Sequence, residues 1–200
     1  MTKIKLCGLK CDDDIYNANE LLPEYIGFVF WNKSKRYITP DEAFFLKQSL
    51  NSKIKVVGVF VDENIEIIKS LLKKGIIDIV QLHGDEGDAY IQRLKTEVGC
   101  RVFKAFKIRS YDDVQAANLS TADMVLLDSG MGSGESFDWK YIKAIERPFI
   151  LAGGLTPENV RAAIDDLKPY GVDASSFLET DGKKDADKMR KFVNEVRYEG

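Results

Sequence analysis

Short runs of β-branched and apolar residues alternate along the chain with longer stretches in which apolar residues recur every three to four positions. The short runs fit buried parallel strands and the longer stretches fit amphipathic helices. Strands are predicted over residues 4–7, 26–30, 54–61, 77–82, 102–107, 124–128, 149–152 and 172–174. Helices are predicted between and after them, over 13–22, 40–50, 64–73, 87–98, 111–118, 138–145, 157–167 and 185–196. Thr39-Pro40 and Thr156-Pro157 each set a capping hydroxyl before a proline at the first helical position.

Eight strand-helix units in 200 residues leave about 25 residues per unit, the short end of the size range of an α/β (β/α)8 TIM barrel. An open doubly wound sheet is the alternative. Neither a linker nor a low-complexity tract interrupts the series, so residues 1–200 are expected to form a single barrel domain. A chain this long buries about 70% of its surface on folding. The opening Met-Thr-Lys-Ile-Lys-Leu lacks the apolar stretch of a signal peptide, and no run approaches the roughly 18 apolar residues of a membrane span.

Charge narrows the choice of partner. Lys+Arg number 29 against Asp+Glu 32, a net charge of −3, with no aromatic-studded basic stripe, so no nucleic acid is expected, and without a long apolar run no membrane is expected either. Three cysteines cannot complete a disulfide framework, which points to a reducing, cytoplasmic setting. A single histidine, His83, argues against a triad or a multi-histidine metal site. Acid-base chemistry therefore falls to Cys, Asp, Glu or Lys.

Active sites of such barrels sit at the C-terminal ends of the strands, and reactive residue types gather there. Period-two alternation sets Cys7 on the face opposite Ile4 and Leu6, so a barrel whose apolar pair faces the helices points the thiol into its mouth. A buried structural cysteine is the competing reading. Asp128 closes the apolar run Met-Val-Leu-Leu-Asp and brings a carboxylate to the same rim, where it either caps the next turn or acts chemically. A thiol and a carboxyl across one mouth suit an acid-base isomerisation.

The other strand ends suggest a ligand. Gly153-Gly154 and Ser175-Ser176 occupy the two loops where barrel enzymes commonly build a phosphate site from backbone N–H groups. Arg36, in Lys-Ser-Lys-Arg, carries a guanidinium suited to a planar carboxylate. His83 is expected at the rim in contact with substrate rather than as a catalyst, and with Cys7 and Cys11 it matches no common zinc spacing. Residues 129–136, Ser-Gly-Met-Gly-Ser-Gly-Glu-Ser, fail the dinucleotide fingerprint and read as a loop over the site. Neither a metal nor a dinucleotide is expected, and the expected partner is a small phosphorylated substrate.

Taken in order, Lys5-Leu-Cys-Gly-Leu, Gly27-Phe-Val-Phe, Ser34-Lys-Arg, Val57-Gly-Val-Phe, Gln81-Leu-His-Gly, Leu126-Leu-Asp-Ser-Gly, Phe137-Asp-Trp, Leu151-Ala-Gly-Gly-Leu, Gly171-Val-Asp-Ala-Ser-Ser and Gly182-Lys-Lys-Asp resemble the phosphoribosylanthranilate isomerase family over essentially the whole chain. The resemblance implies a cofactor-free Amadori rearrangement in tryptophan biosynthesis. It assigns Cys7 as general base, Asp128 as general acid and Arg36 as the group that holds the anthranilate carboxylate. Such a base and acid both need tuning, which the resemblance would leave to Lys5 and helix dipoles for the thiolate and to desolvation for the acid. A monomer is expected.

One departure stands out. Phe177-Leu178 replaces the glycine and small apolar residue frequent in the family after the paired serines, which bears on how closely the backbone at 177 approaches a phosphate. The related histidine-pathway isomerase uses aspartate after strand one, so Cys7 argues against that reading. A catalytically silent phosphate-binding barrel is the rival of another class.

Overall fold

The computed structural model describes residues 1–128 and 139–198. Eight parallel strands close into a barrel in sequence order: β1 (Lys3–Cys7), β2 (Tyr25–Val29), β3 (Lys55–Phe60), β4 (Ile79–Leu82), β5 (Arg101–Lys107), β6 (Met124–Asp128), β7 (Phe149–Ala152) and β8 (Gly171–Ala174). The register runs without a break from Cys7 opposite Gly27 around to Lys5 opposite Asp173. Closure excludes the open sheet and leaves the barrel itself without a free edge.

Period-two geometry sorts the side chains into two cores. Ile4, Leu6, Ile26, Phe28, Val80 and Leu82 pack outward beneath the helices. Tyr25, Val57, Ile79, Phe103, Leu126 and Ile150 fill the barrel interior, and Cys7, Val29 and Val59 cluster above them. Thus Cys7 does point inward, opposite Ile4 and Leu6.

The helices form where the local signals demand them: α1 (Asp12–Leu21), α2 (Pro40–Ser49), α3 (Ile65–Lys73), α4 (Asp88–Val98), α5 (Tyr111–Leu119), α6 (Val160–Leu167) and α7 (Ala186–Arg197). Thr39 and Glu42 make a capping box with Pro40 in the first turn of α2. Ser110 and Asp113 do the same for α5, and Asp185 accepts from two backbone N–H groups at the start of α7. At Thr156 the hydroxyl accepts from Glu158 N, but the regular helix begins only at Val160.

The helix predicted over 138–145 is the main correction. Among the described residues that stretch holds only a 3₁₀ turn, Ile142–Ala144, and Ile145 is already extended. Residues 146–148 then read Glu-Arg-Pro, and the position before a proline is pushed away from the helical region. A second difference lies after β8. A 3₁₀ turn, Ser176–Leu178, leads into a hairpin of β9 (Glu179–Thr180) and β10 (Lys183–Lys184), joined through Asp181 and Gly182 at φ 52° and 75°. Two left-handed residues in sequence suit a type I′ turn, for which Asp-Gly is a favoured pair.

Candidate active site

The C-terminal mouth of the barrel opens into a cavity of about 620 Å³. Its lining includes all eight residues expected from the sequence: Cys7, Arg36, His83, Asp128, Gly153, Gly154, Ser175 and Ser176. A groove of about 610 Å³ at the opposite end, lined by Arg147, Asp166 and Tyr170 among others, gathers none of them. The glycine-rich stretch 129–136 and the start of the predicted helix at 138 lie outside the described residues.

Cys7 ends β1 and is 8% exposed. Below it in the barrel, the fully buried Lys5 ammonium donates to Asp173 Oδ2 at 2.9 Å. Burial pushes the Cys7 thiol above the ordinary thiol range. The Lys5 charge and a hydrogen bond from Lys5 work against that push, as does the Lys184 charge, while Asp173 reinforces it. The cation expected to favour the thiolate is therefore in place, yet burial outweighs it.

Asp128 ends β6, with its side chain in the same cavity. His83 Nε2 lies 3.7 Å from Asp128 Oδ2, which sets the imidazole beside this carboxylate. The loop carrying His83 is braced from outside the barrel. Glu86 accepts from the backbone N–H of Asp62 and of Gly84, and Lys104, reaching out from β5, donates to Glu86 Oε2 at 2.9 Å. This buried pair ties the loops after β3 and β4 together.

The two loops after β7 and β8 meet at the cavity. Gly153 and Gly154 have φ of 83° and 66°, a region that costs other residues strain, so the bare backbone can approach a ligand there. Ser175 Oγ donates to the Cys7 carbonyl at 3.0 Å, tying this loop to the end of β1. Of the departing pair, Leu178 is fully buried and Phe177 lines the cavity at 43% exposure.

Arg36 approaches from the loop after β2. Its stem lies against Gly8, where a Cβ would collide with Arg36 Cδ, and Gly8 itself sits at φ 80°. The guanidinium forks onto Glu179, with Nε to Oε1 at 2.5 Å and Nη2 to Oε2 at 2.9 Å.

Residues 4–195 match the family described as N-(5'phosphoribosyl)anthranilate (PRA) isomerase. The chain belongs to the PRA isomerase family. An N-(5'-phosphoribosyl)anthranilate isomerase from Caldanaerobacter subterraneus subsp. tengcongensis is 43% identical over 204 residues, covering 98% of each chain. Among solved structures, a phosphoribosyl anthranilate isomerase in complex with reduced 1-(o-carboxyphenylamino)-1-deoxyribulose 5-phosphate superimposes with a TM-score of 0.86 at 34% identity, covering 98% of this chain and 99% of that one. A Thermotoga maritima structure, described as mutually generated monomers of the dimeric enzyme, gives 0.87 at 35% identity with the same coverage.

Within this PRA isomerase barrel, several residues at or near the site carried no role in the sequence reading: Asp173 under Cys7, Glu179 and Lys184 beside Arg36, and the Glu86–Lys104 brace. For the hairpin that holds Glu179 and Lys184, Asp181-Gly182 was the available signal.

Proposed function

We infer that the protein isomerises N-(5'-phosphoribosyl)anthranilate to 1-(2-carboxyphenylamino)-1-deoxyribulose 5-phosphate, a step of tryptophan biosynthesis. The observation that carries this reading is one cavity lined by a thiol, a carboxyl, a guanidinium and two backbone loops, in a chain of this family.

In the proposed sequence, protonated Asp128 donates to the furanose ring oxygen. The C1–O bond breaks and the amine nitrogen's lone pair forms an iminium. The Cys7 thiolate then takes the proton from C2, giving an enolamine that tautomerises to the ketone. C2 is oxidised to the ketone as C1 is reduced to the amine-bearing CH2, so the redox change is internal and atoms and electrons balance without an external oxidant or reductant. His83, next to Asp128, contacts the substrate at the rim. Arg36 holds the anthranilate carboxylate. The backbone of Gly153 and Gly154, with Ser175 and Ser176, receives the phosphate.

The same proposal takes the 200 residues as one working domain in the cytosol. Its three free cysteines support that setting, and among the described residues no helix is long and apolar enough to cross a membrane. It also takes the protein as a monomer, although one relative is described as dimeric. Sedimentation checks this directly, and a dimer at micromolar concentration would overturn it.

The activity is tested by following the fluorescence of the anthranilate substrate as the purified protein consumes it. Turnover supports the reading; its absence would favour the silent barrel.

A further inference from the structure

Arg36 does not stand alone at the mouth of the site. Its Nε–H and one Nη2–H are committed to Glu179, the side-on fork of the guanidinium. The end-on edge, made by Nη1 and the remaining Nη2 hydrogen, meets no acceptor among the described residues. A guanidinium held by one edge presents the other in a fixed direction, with geometry that matches a second carboxylate.

Pairing Arg36 with a carboxylate would by itself cancel the charge needed to attract an anion. The hairpin corrects this. Lys184 lies directly across from Glu179 in the β9/β10 pair and donates to Glu179 Oε1 at 2.7 Å and to the Ser175 carbonyl at 2.9 Å. Two cations thus share one anion, leaving the cluster with a net positive charge. Burial works to raise the Glu179 carboxyl, but the hydrogen bonds and charges of Arg36 and Lys184 outweigh it and hold the group below the usual carboxylate range. Glu179 therefore stays ionised, and the Lys188 ammonium further anchors its backbone carbonyl at 2.6 Å.

We propose that Glu179 is the positioning residue for recognition of the substrate's aryl carboxylate: it fixes Arg36 by the Nε/Nη2 edge so that the opposite edge receives the carboxylate, with Lys184 restoring the charge. This rests on the assignment of Arg36 to that carboxylate. The cluster spans the loops after β2 and β8 and touches Ser175, so the carboxylate subsite and the phosphate loop share one support.

The test is steady-state kinetics on the wild type, Glu179→Gln, Arg36→Ala and the double variant, with anthranilate and aniline as competing inhibitors. Glu179→Gln is expected to raise KM about 5- to 10-fold with kcat within about threefold, and to weaken inhibition by anthranilate but not by aniline. In the Arg36→Ala background the same change should add less than about twofold, because its effect runs through Arg36. An undiminished Glu179 effect without Arg36, or equal weakening toward both inhibitors, overturns the proposal. If Arg36→Ala itself leaves KM unchanged, the Arg36 assignment fails instead, a separate result. Should Glu179→Gln not fold, Glu179→Asp keeps the charge, shortens the reach and carries the same comparison.

Discussion

Gly27 faces Cys7 across the β1/β2 pair so closely that a Cβ on it would stand 2.6 Å from the Cys7 Sγ and 3.2 Å from the Lys5 ammonium. The thiol occupies the space a side chain would need. Gly27→Ala should therefore displace the sulfur, a terminal atom, rather than open the barrel. We expect kcat to fall on the order of 10- to 100-fold while the urea midpoint moves little. An unchanged kcat would mean that the position of the thiol does not matter.

Removing either proposed acid-base group should act on turnover. Cys7→Ala and Asp128→Asn are each expected to lower kcat by at least about 10²-fold with modest change in KM. Near wild-type turnover from either variant takes that residue out of the mechanism.

Arg36→Ala should leave chemistry comparatively intact and weaken substrate binding, seen as a raised KM. The guanidinium lost is one whose stem is packed and whose fork is held, so little compensating motion by neighbours is available to it.

The thiol itself can be titrated. In a variant whose other cysteines are replaced by serine, thiolate absorbance should report a Cys7 midpoint above the ordinary thiol range, because burial dominates the opposing Lys5 and Lys184 charges. The sign follows directly: a raised thiol loses its thiolate as pH falls, so the reactive form is scarcest on the acid side. A midpoint below the ordinary range would show that the cations win.

Two stability predictions follow from side chains outside the mouth. Lys104→Met leaves Glu86 as an unpaired buried charge, and denaturant unfolding should show a loss of about 3 kcal/mol. Thr39→Ala removes the capping box of α2 and should cost about 1 kcal/mol; no change in either case would refute the corresponding role.

Much of the scaffold was legible because period-two strands and capped helices are local signals. Ile4 and Leu6 against Cys7 gave the facing of β1, and Thr39-Pro40 gave the start of α2. The stretch around Tyr141 and Ile142 misled: apolar spacing of helical type occurs there, yet among the described residues the chain makes only a 3₁₀ turn and is extended by Ile145. Strand ends shifted by one or two residues. Asp78, read as strand, instead turns its carboxylate onto the Val56 N–H.

The candidate site was legible where a reactive residue type ended a strand, as Cys7 and Asp128 do. Glu179 could not be found that way. It is one acid among many, and its partner Arg36 lies 143 positions earlier in the chain, beyond any periodicity. Only the fold brings them together.

The closing of β1 onto β8 has a consequence for synthesis. Lys5 meets Asp173, and the Cys7 carbonyl meets Ser175, each across 168 positions. A ribosome delivers the thiol and its neighbouring ammonium well before their partners, which follow 168 positions later. Until residue 173 is made, the strand bearing Cys7 therefore lacks the carboxylate that pairs with Lys5 in the barrel interior. The setting of the proposed base is thus completed only with the last strand of the barrel, and a chain halted before β8 would carry Cys7 without it.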